Sequence, residues 1–299
     1  MKHFPHTKAV LAALVLLVPV LPAAAQMGGG GMGSGITGPI DMMSGEIVVP
    51  TGVRADGQNG AFFQTDLWLR CRIVPTSATL TFHAADASSA SPAATATVNL
   101  TQPVTYLPDV VSALFGMGKA AGNIRIVSAN PVSATARVYN SGGGGAFGLA
   151  LMGMPSNMSL RPMPMMGGSF GMDDFAMYMV GLLPQPGNRV NVAVVNTNST
   201  AVTGVVEILE GDGTSPSGGG ATSLAFSIQG YSSHQFNNIL LDVHSKSGND
   251  ATLQIRVRMT QGSTGMVMAY AVVNDNATGD GYVVMGNMMN GGRGMGMTP

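Results

Sequence analysis

Period-two alternation dominates the chain. In Gly60–Ile73, Leu67, Leu69, Cys71 and Ile73 alternate with Trp68, Arg70 and Arg72, the pattern of a half-buried strand. The first set is predicted to face a core, and the arginines to face water with Trp68 between them. Shorter stretches of the same kind follow at Glu46–Val49, Thr79–His83, Thr95–Leu100, Asn123–Val127, Ser133–Asn140 and Phe147–Met152. One helical period interrupts them. Leu107, Val110, Val111 and Leu114 fall at i, i+3, i+4 and i+7, which predicts a single amphipathic turn.

The order then repeats. Val190–Asn196 matches Thr65–Cys71, Gly204–Leu209 matches Thr79–His83, and Gly211–Gly213 matches Ala85–Ala87. Phe236, Ile239, Leu240 and Val243 restate the helical spacing. Leu253–Ile255, Met266–Asn274 and Tyr282–Gly286 match Ile124–Ile126, Val132–Asn140 and Leu149–Gly153. Strands keep their length while turns vary, as expected of a duplicated unit. About seven short strands per copy, with no crossover helices, predict an all-β fold. We expect two tandem immunoglobulin-like antiparallel β-sandwich domains, each with one short helical turn.

Composition adds the boundaries. Residues 1–25 have a signal peptide's layout: Lys2 and Lys8, an apolar Ala9–Val18, and Ala23–Ala25 before Gln26. Residues 26–45 are a Gly/Met-rich leader, 46–153 the first sandwich and 154–172 a Met/Gly/Pro linker. Residues 173–286 form the second sandwich and 287–299 a Gly/Met-rich tail. The expected location is secreted: extracellular, cell surface or periplasm. No membrane span is expected after signal cleavage. Charged residues make up only 10% of the chain, and without the two signal lysines the balance is about −3, with no basic patch for nucleic acid. Cys71 is the one cysteine, so no internal disulfide is possible, and its place in the alternation predicts a buried apolar role.

Asn59–Arg70, Asp109–Gly116 and Asn274–Asp280 resemble a tandem β-sandwich repeat of secreted bacterial proteins. The resemblance covers about residues 46–286 and implies fold and location without an assigned activity. The first copy departs from it where Gly142–Gly145 replaces the Asn/Asp-rich loop of the second.

Chemistry is sparse. His83, His234 and His244 lack metal-ligand spacing, and hydrolase, P-loop and zincin motifs are missing, so a non-enzymatic protein is expected. His83 is assigned to the surface. Asp109 is expected to cap the helical turn through its side chain, and the matched Asp66 and Asn191 to bind backbone at a strand end. Asp275, Asn276 and Asp280 offer oxygens for a weak calcium site, although Met285 stands where an EF-hand needs an acid, and a hairpin turn is preferred. The methionines stand out. Met152, Met154, Met163, Met165, Met166, Met295 and Met297 are closely spaced thioethers, and soft sulfur selects Cu(I). Met177 and Met179 alternate with Tyr178 and are expected in a core.

The leading expectation is a structural or interaction module with an unidentified protein or cell-surface partner. Extracytoplasmic Cu(I) binding is the alternative, and no other cofactor is expected. A carbohydrate-binding module is disfavoured, because Trp68 is the one tryptophan and aromatic residues are only 6% of the chain.

Overall fold

The structure is a computed structural model, and it describes residues 44–57, 60–142, 148–161, 175–182, 188–211, 213, 223–240, 253–260, 263–275 and 281–290. Residues 1–43 carry the expected signal peptide and most of the leader, and lie outside the described residues.

Alternating side chains lay down strands almost everywhere. The first half comprises β1 (Ser44–Asp56), β2 (Phe62–Cys71), β3 (Thr76–Ala84), β4 (Ala94–Leu100), β5 (Val104–Leu107), the turn α1 (Val110–Ala113), β6 (Ala120–Asn140), β7 (Gly148–Met152) and β8 (Met154–Pro155). A 3-10 turn over Ser156–Met158 follows. The second half comprises β9 (Phe175–Met179), β10 (Asn188–Asn196), β11 (Val202–Leu209), β12 (Ser223–Ile228), β13 (Ser233–Phe236), β14 (Gln254–Met259), β15 (Val267–Asp275), β16 (Gly281–Met285) and β17 (Asn287–Asn290). All pairings between these strands are antiparallel. The protein is an all-β fold of antiparallel sheets.

The two halves repeat one pairing scheme. In the second half, one sheet runs β13-β10-β15-β16 and the other β12-β11-β14-β9-β17. The first half has β5-β2-β6-β7 and β4-β3-β6-β1 in the same relations, with β8 on β1 as β17 is on β9. The differences are that β1 also pairs with β2, Ala55 opposite Phe63 and Asp56 opposite Phe62, and that β6 is shared. Its start, Gly122–Ser128, pairs with β3, and its end, Val132–Asn140, pairs with β2, so one strand serves both layers. Pro131 sits at the handover between these two runs, where its missing N–H removes no ladder bond to either. In the second half the equivalent strands, β14 and β15, are separated by Thr260–Met266. Two separate strands were expected in both copies; the first copy fuses them.

Each half encloses a core between its layers. Leu67, Leu69, Leu80, Phe82, Ile124 and Ile126 meet in the first. Met177, Met179, Val192, Val194, Ile208 and Ile255 meet in the second, so the two β9 methionines pack as expected. Cys71 is buried and its thiol lies 3.1 Å from the Ile73 carbonyl. Ile73, expected inside, is 57% exposed because β2 ends at Cys71 and the alternation no longer governs its direction.

The described residues of both halves belong to one compact unit. Val48, Leu151 and Leu160 from the first half and its exit belong to the second half's core. Met154–Leu160 falls in the expected linker, yet it is fixed at both ends. β8 pairs with β1, and Leu160 exchanges backbone bonds of 2.7 and 3.0 Å with Val267. Residues 162–172 lie outside the described residues.

Candidate functional site

Three polar arrangements stand out, two of them structural and one open. The first surrounds α1. Asp66 on β2 is 5% exposed, and a buried carboxylate is costly unless its oxygens are bonded. Its Oδ1 accepts the backbone N–H of Asp109 at 2.9 Å, and its Oδ2 accepts the Tyr106 hydroxyl at 2.9 Å. The Tyr139 hydroxyl makes a longer 3.4 Å contact. Asp109 starts α1 in the left-handed region, with φ at 38°, so this backbone bond holds a residue in an unfavourable conformation. The hydrogen bond to Asp66, then desolvation, raises the Tyr106 phenol above its ordinary value. Burial, then the charge of Asp66, raises Tyr139.

Asp109 itself makes no side-chain cap, contrary to expectation. Its left-handed backbone turns the carboxylate away from the free N–H groups of the turn. Oδ2 instead accepts Nε of Arg54 at 2.9 Å and Nε2 of Gln64 at 3.0 Å. Arg54 also reaches the Gly118 carbonyl. The second half repeats the core of this device in neutral form. Asn191 Oδ1 accepts the N–H of Asn238 at 2.9 Å, and Asn238, at φ 50°, precedes the buried Ile239 and Leu240. Asp66 and Asn191 do bind backbone from matched strand positions.

The second arrangement joins the halves. The N–H of Asp86 donates to the Ser233 carbonyl at 2.8 Å, and the Ser232 hydroxyl donates to the Ala84 carbonyl at 2.8 Å. Asn123 Nδ2 donates to the Tyr231 carbonyl at 2.7 Å. His83, assigned to the surface from sequence, is 4% exposed, with its ring 5.0 Å from that of Tyr231. It is buried because the second half covers this end of β3, a contact that alternation within one strand does not signal. Burial, then the positive charge of Arg125, lowers its pKa to about 4, so the ring is neutral at pH 7. Arg125 lies 5.1 Å over the Tyr231 ring. His234 Nδ1 stands 2.5 Å from Asp86 Oδ1, also across the junction.

The third arrangement is the outer face of β5-β2-β6-β7. The ladder sets Trp68 opposite Tyr106 on one side and Thr135 on the other, with Met152 opposite Thr135 on β7. Trp68 and Tyr106 stack at 4.9 Å with 27° between their planes, and Tyr106 is 50% exposed. Arg70 follows Trp68 on the same face, and Arg137 lies opposite Asp66. Both arginines are exposed. Trp68 was legible from sequence. Tyr106, Thr135 and Arg137 were not, since only the long-range pairing brings them to it.

The metal candidates are mostly outside the described residues: Met163, Met165, Met166, Met295, Met297, Asn276 and Asp280 all are. Met152 is 57% exposed, whereas Met154 packs against the second core, so this pair does not present two free thioethers together. Gly153 between them has a packing reason. A Cβ there would meet Ile47 at 2.5 Å and Ala134 at 2.9 Å, so Met-Gly-Met lets the chain press onto the first core. Asp275 is half-buried at the end of β15, opposite Asn188. Among the described residues no group of three His, Cys, Asp or Glu converges to hold a metal. Nor, among them, is any helix long and apolar enough to cross a membrane, a statement that leaves β-barrel strands aside.

By fold the chain is thus an all-β protein of antiparallel sheets in two halves of like pairing. It matches no family model, no curated protein and no solved structure.

Proposed function

We propose that the chain is a secreted, non-enzymatic binding module of the cell surface, extracellular space or periplasm, built from two tandem immunoglobulin-like sandwiches. The observation that carries this reading is the open Trp68–Tyr106 stack flanked by exposed arginines. Both oxygens of Asp66 are bonded into the fold and Asp109 is held through Oδ2 by Arg54 and Gln64, which favours recognition over catalysis. Secretion is supported by the layout of residues 1–25, and the tandem reading by the repeated pairing scheme. Purified protein is expected to bind washed envelopes of the producing cells, and the secreted form to begin at Gln26. A Trp68→Ala variant with unchanged circular dichroism is expected to lose most envelope binding. Retention of the full chain in the cytoplasm, or equal binding by the variant, would overturn the reading.

A second reading, extracytoplasmic Cu(I) binding, is favoured by the closely spaced methionines of the sequence, of which Met152 and Met288 are exposed residues. Anaerobic titration against a competing Cu(I) chelator tests it. Stoichiometric binding lost on replacing Met163, Met165 and Met166 with Ile supports it, and absence of binding removes it.

A further inference from the structure

The outer face of β5-β2-β6-β7 combines two features whose chemistries point to one ligand. Its aromatic pair is held ready: Tyr106 is fixed through its hydroxyl on Asp66, and its ring stays half in solvent. β5 ends the path β4-β3-β6-β1-β2-β5, so among the described residues no further strand pairs beyond Tyr106. Its charge is of one sign. Asp66 is buried and both its oxygens are engaged, and Asp109 is held by Arg54 and Gln64. What reaches solvent beside Trp68 is Arg70, two residues along β2, and Arg137, on the diagonal across β6 with its guanidinium 5.0 Å over the Tyr139 ring. Strand geometry puts their Cα atoms about 7 and 8 Å from that of Trp68.

We propose that this face binds an acidic polysaccharide, a pyranose ring lying against the Trp68–Tyr106 pair and a uronate carboxylate meeting Arg70 or Arg137. The proposal rests on the binding-module reading and gives that module its ligand class. Planar guanidinium suits bidentate carboxylate recognition. Sugar rings offer C–H faces to aromatic side chains and hydroxyls to polar neighbours, and Thr135 is the exposed hydroxyl next to Trp68 across β6. A single-stranded nucleic acid shares the taste for arginine and aromatic rings, but its backbone wants a long cationic track. Two arginines in a chain of net charge −1 do not make one. The expectation that carbohydrate binding lacks an aromatic platform rested on counting aromatics; the ladder assembles a small one from distant segments.

Trp68 is the one tryptophan of the chain, so its fluorescence reports this face directly. The full chain would be titrated with polygalacturonate, a neutral glucan and a thymidine oligonucleotide, with calorimetry alongside. Polygalacturonate is expected to shift Trp68 emission saturably, and the neutral glucan to bind at least about tenfold more weakly. Combined Arg70→Ala and Arg137→Ala substitution is expected to weaken polygalacturonate by a similar factor at unchanged thermal unfolding. Tyr106→Ala should weaken both polysaccharides. No emission change and no heat with polygalacturonate, or equal affinity in the double-arginine variant, would overturn the proposal. Tighter binding of the oligonucleotide would reassign the face and overturn it as well. Envelope binding that depends on Trp68 while polygalacturonate fails would leave the module reading standing and remove only the acidic ligand.

Discussion

The same bond from a strand side chain to a left-handed residue is built twice in this molecule, once with charge and once without. In the first half the carboxylate of Asp66 holds the left-handed Asp109, and Tyr106 and Tyr139 gather on it, with Arg54 and Gln64 on Asp109. In the second half the amide oxygen of Asn191 holds the left-handed Asn238 through the same kind of bond. What the fold needs is therefore one oxygen acceptor at that strand position. The charge is an addition, and it supports the aromatic pair by fixing Tyr106. A buried carboxylate needs more partners than a buried amide, and the first half supplies them.

Removing the acceptor should separate the two turns most sharply. Asp66→Ala leaves the Asp109 N–H and the Tyr106 hydroxyl without their partner and is expected to destabilise the fold more than the same change at Asn191. Asn191→Ala leaves one N–H and should cost about 1–2 kcal/mol. Urea unfolding of both variants measures the difference, and equal losses would show that the tyrosine contact adds nothing.

Acid should find the halves at different pH. His83 at the junction has its pKa lowered to about 4, against 6.5 ordinarily. Between these values the unfolded chain binds the proton and the folded chain does not, so the stability from this group is complete above pH 6.5 and falls as pH drops toward 4. In the second half, burial raises Glu207, but hydrogen bonds from Arg258 and Arg256, each with an Nε contact at 2.7 Å, outweigh it and hold it below its ordinary 4.5. Its contribution is lost lower, as pH falls through that depressed value. Thermal unfolding across pH 7 to 3 should lose several degrees between 6.5 and 4, and His83→Leu should flatten that part while sparing the steeper fall below it. An unchanged slope in His83→Leu would place the acid sensitivity elsewhere.

The mildest change converts one turn into the other. Asp66→Asn keeps the acceptor for the Asp109 N–H and is expected to cost less than about 1 kcal/mol. Its clearer effect is on Tyr106, whose phenol should titrate closer to its ordinary value once the carboxylate is gone. Spectrophotometric titration of the variant and the parent would resolve the shift.

The parts of this comparison that alternation or repetition encodes were legible beforehand. Trp68 outward, Cys71 inward, and the matched Asp66 and Asn191 all follow from local period or from the second copy. Asp109 misled because its position is that of a helix cap, while its left-handed backbone redirects the side chain. His83 misled because its burial comes from the other half. The Trp68–Tyr106–Arg137 face lay beyond reach for a third reason: strand order and register, on which it depends, are set by pairings between segments separated by about 30 to 70 residues, with no local mark.

The fused strand β6 gives the two halves different mechanical characters. In the first half, tension entering one layer passes into the other along unbroken, laddered backbone. Those layers cannot shear past one another without bending β6 or tearing its two sets of bonds. In the second half the same load crosses Thr260–Met266. Under pull, the second half is therefore expected to be the one whose layers part first, and the aromatic face rides on the half joined by continuous strand.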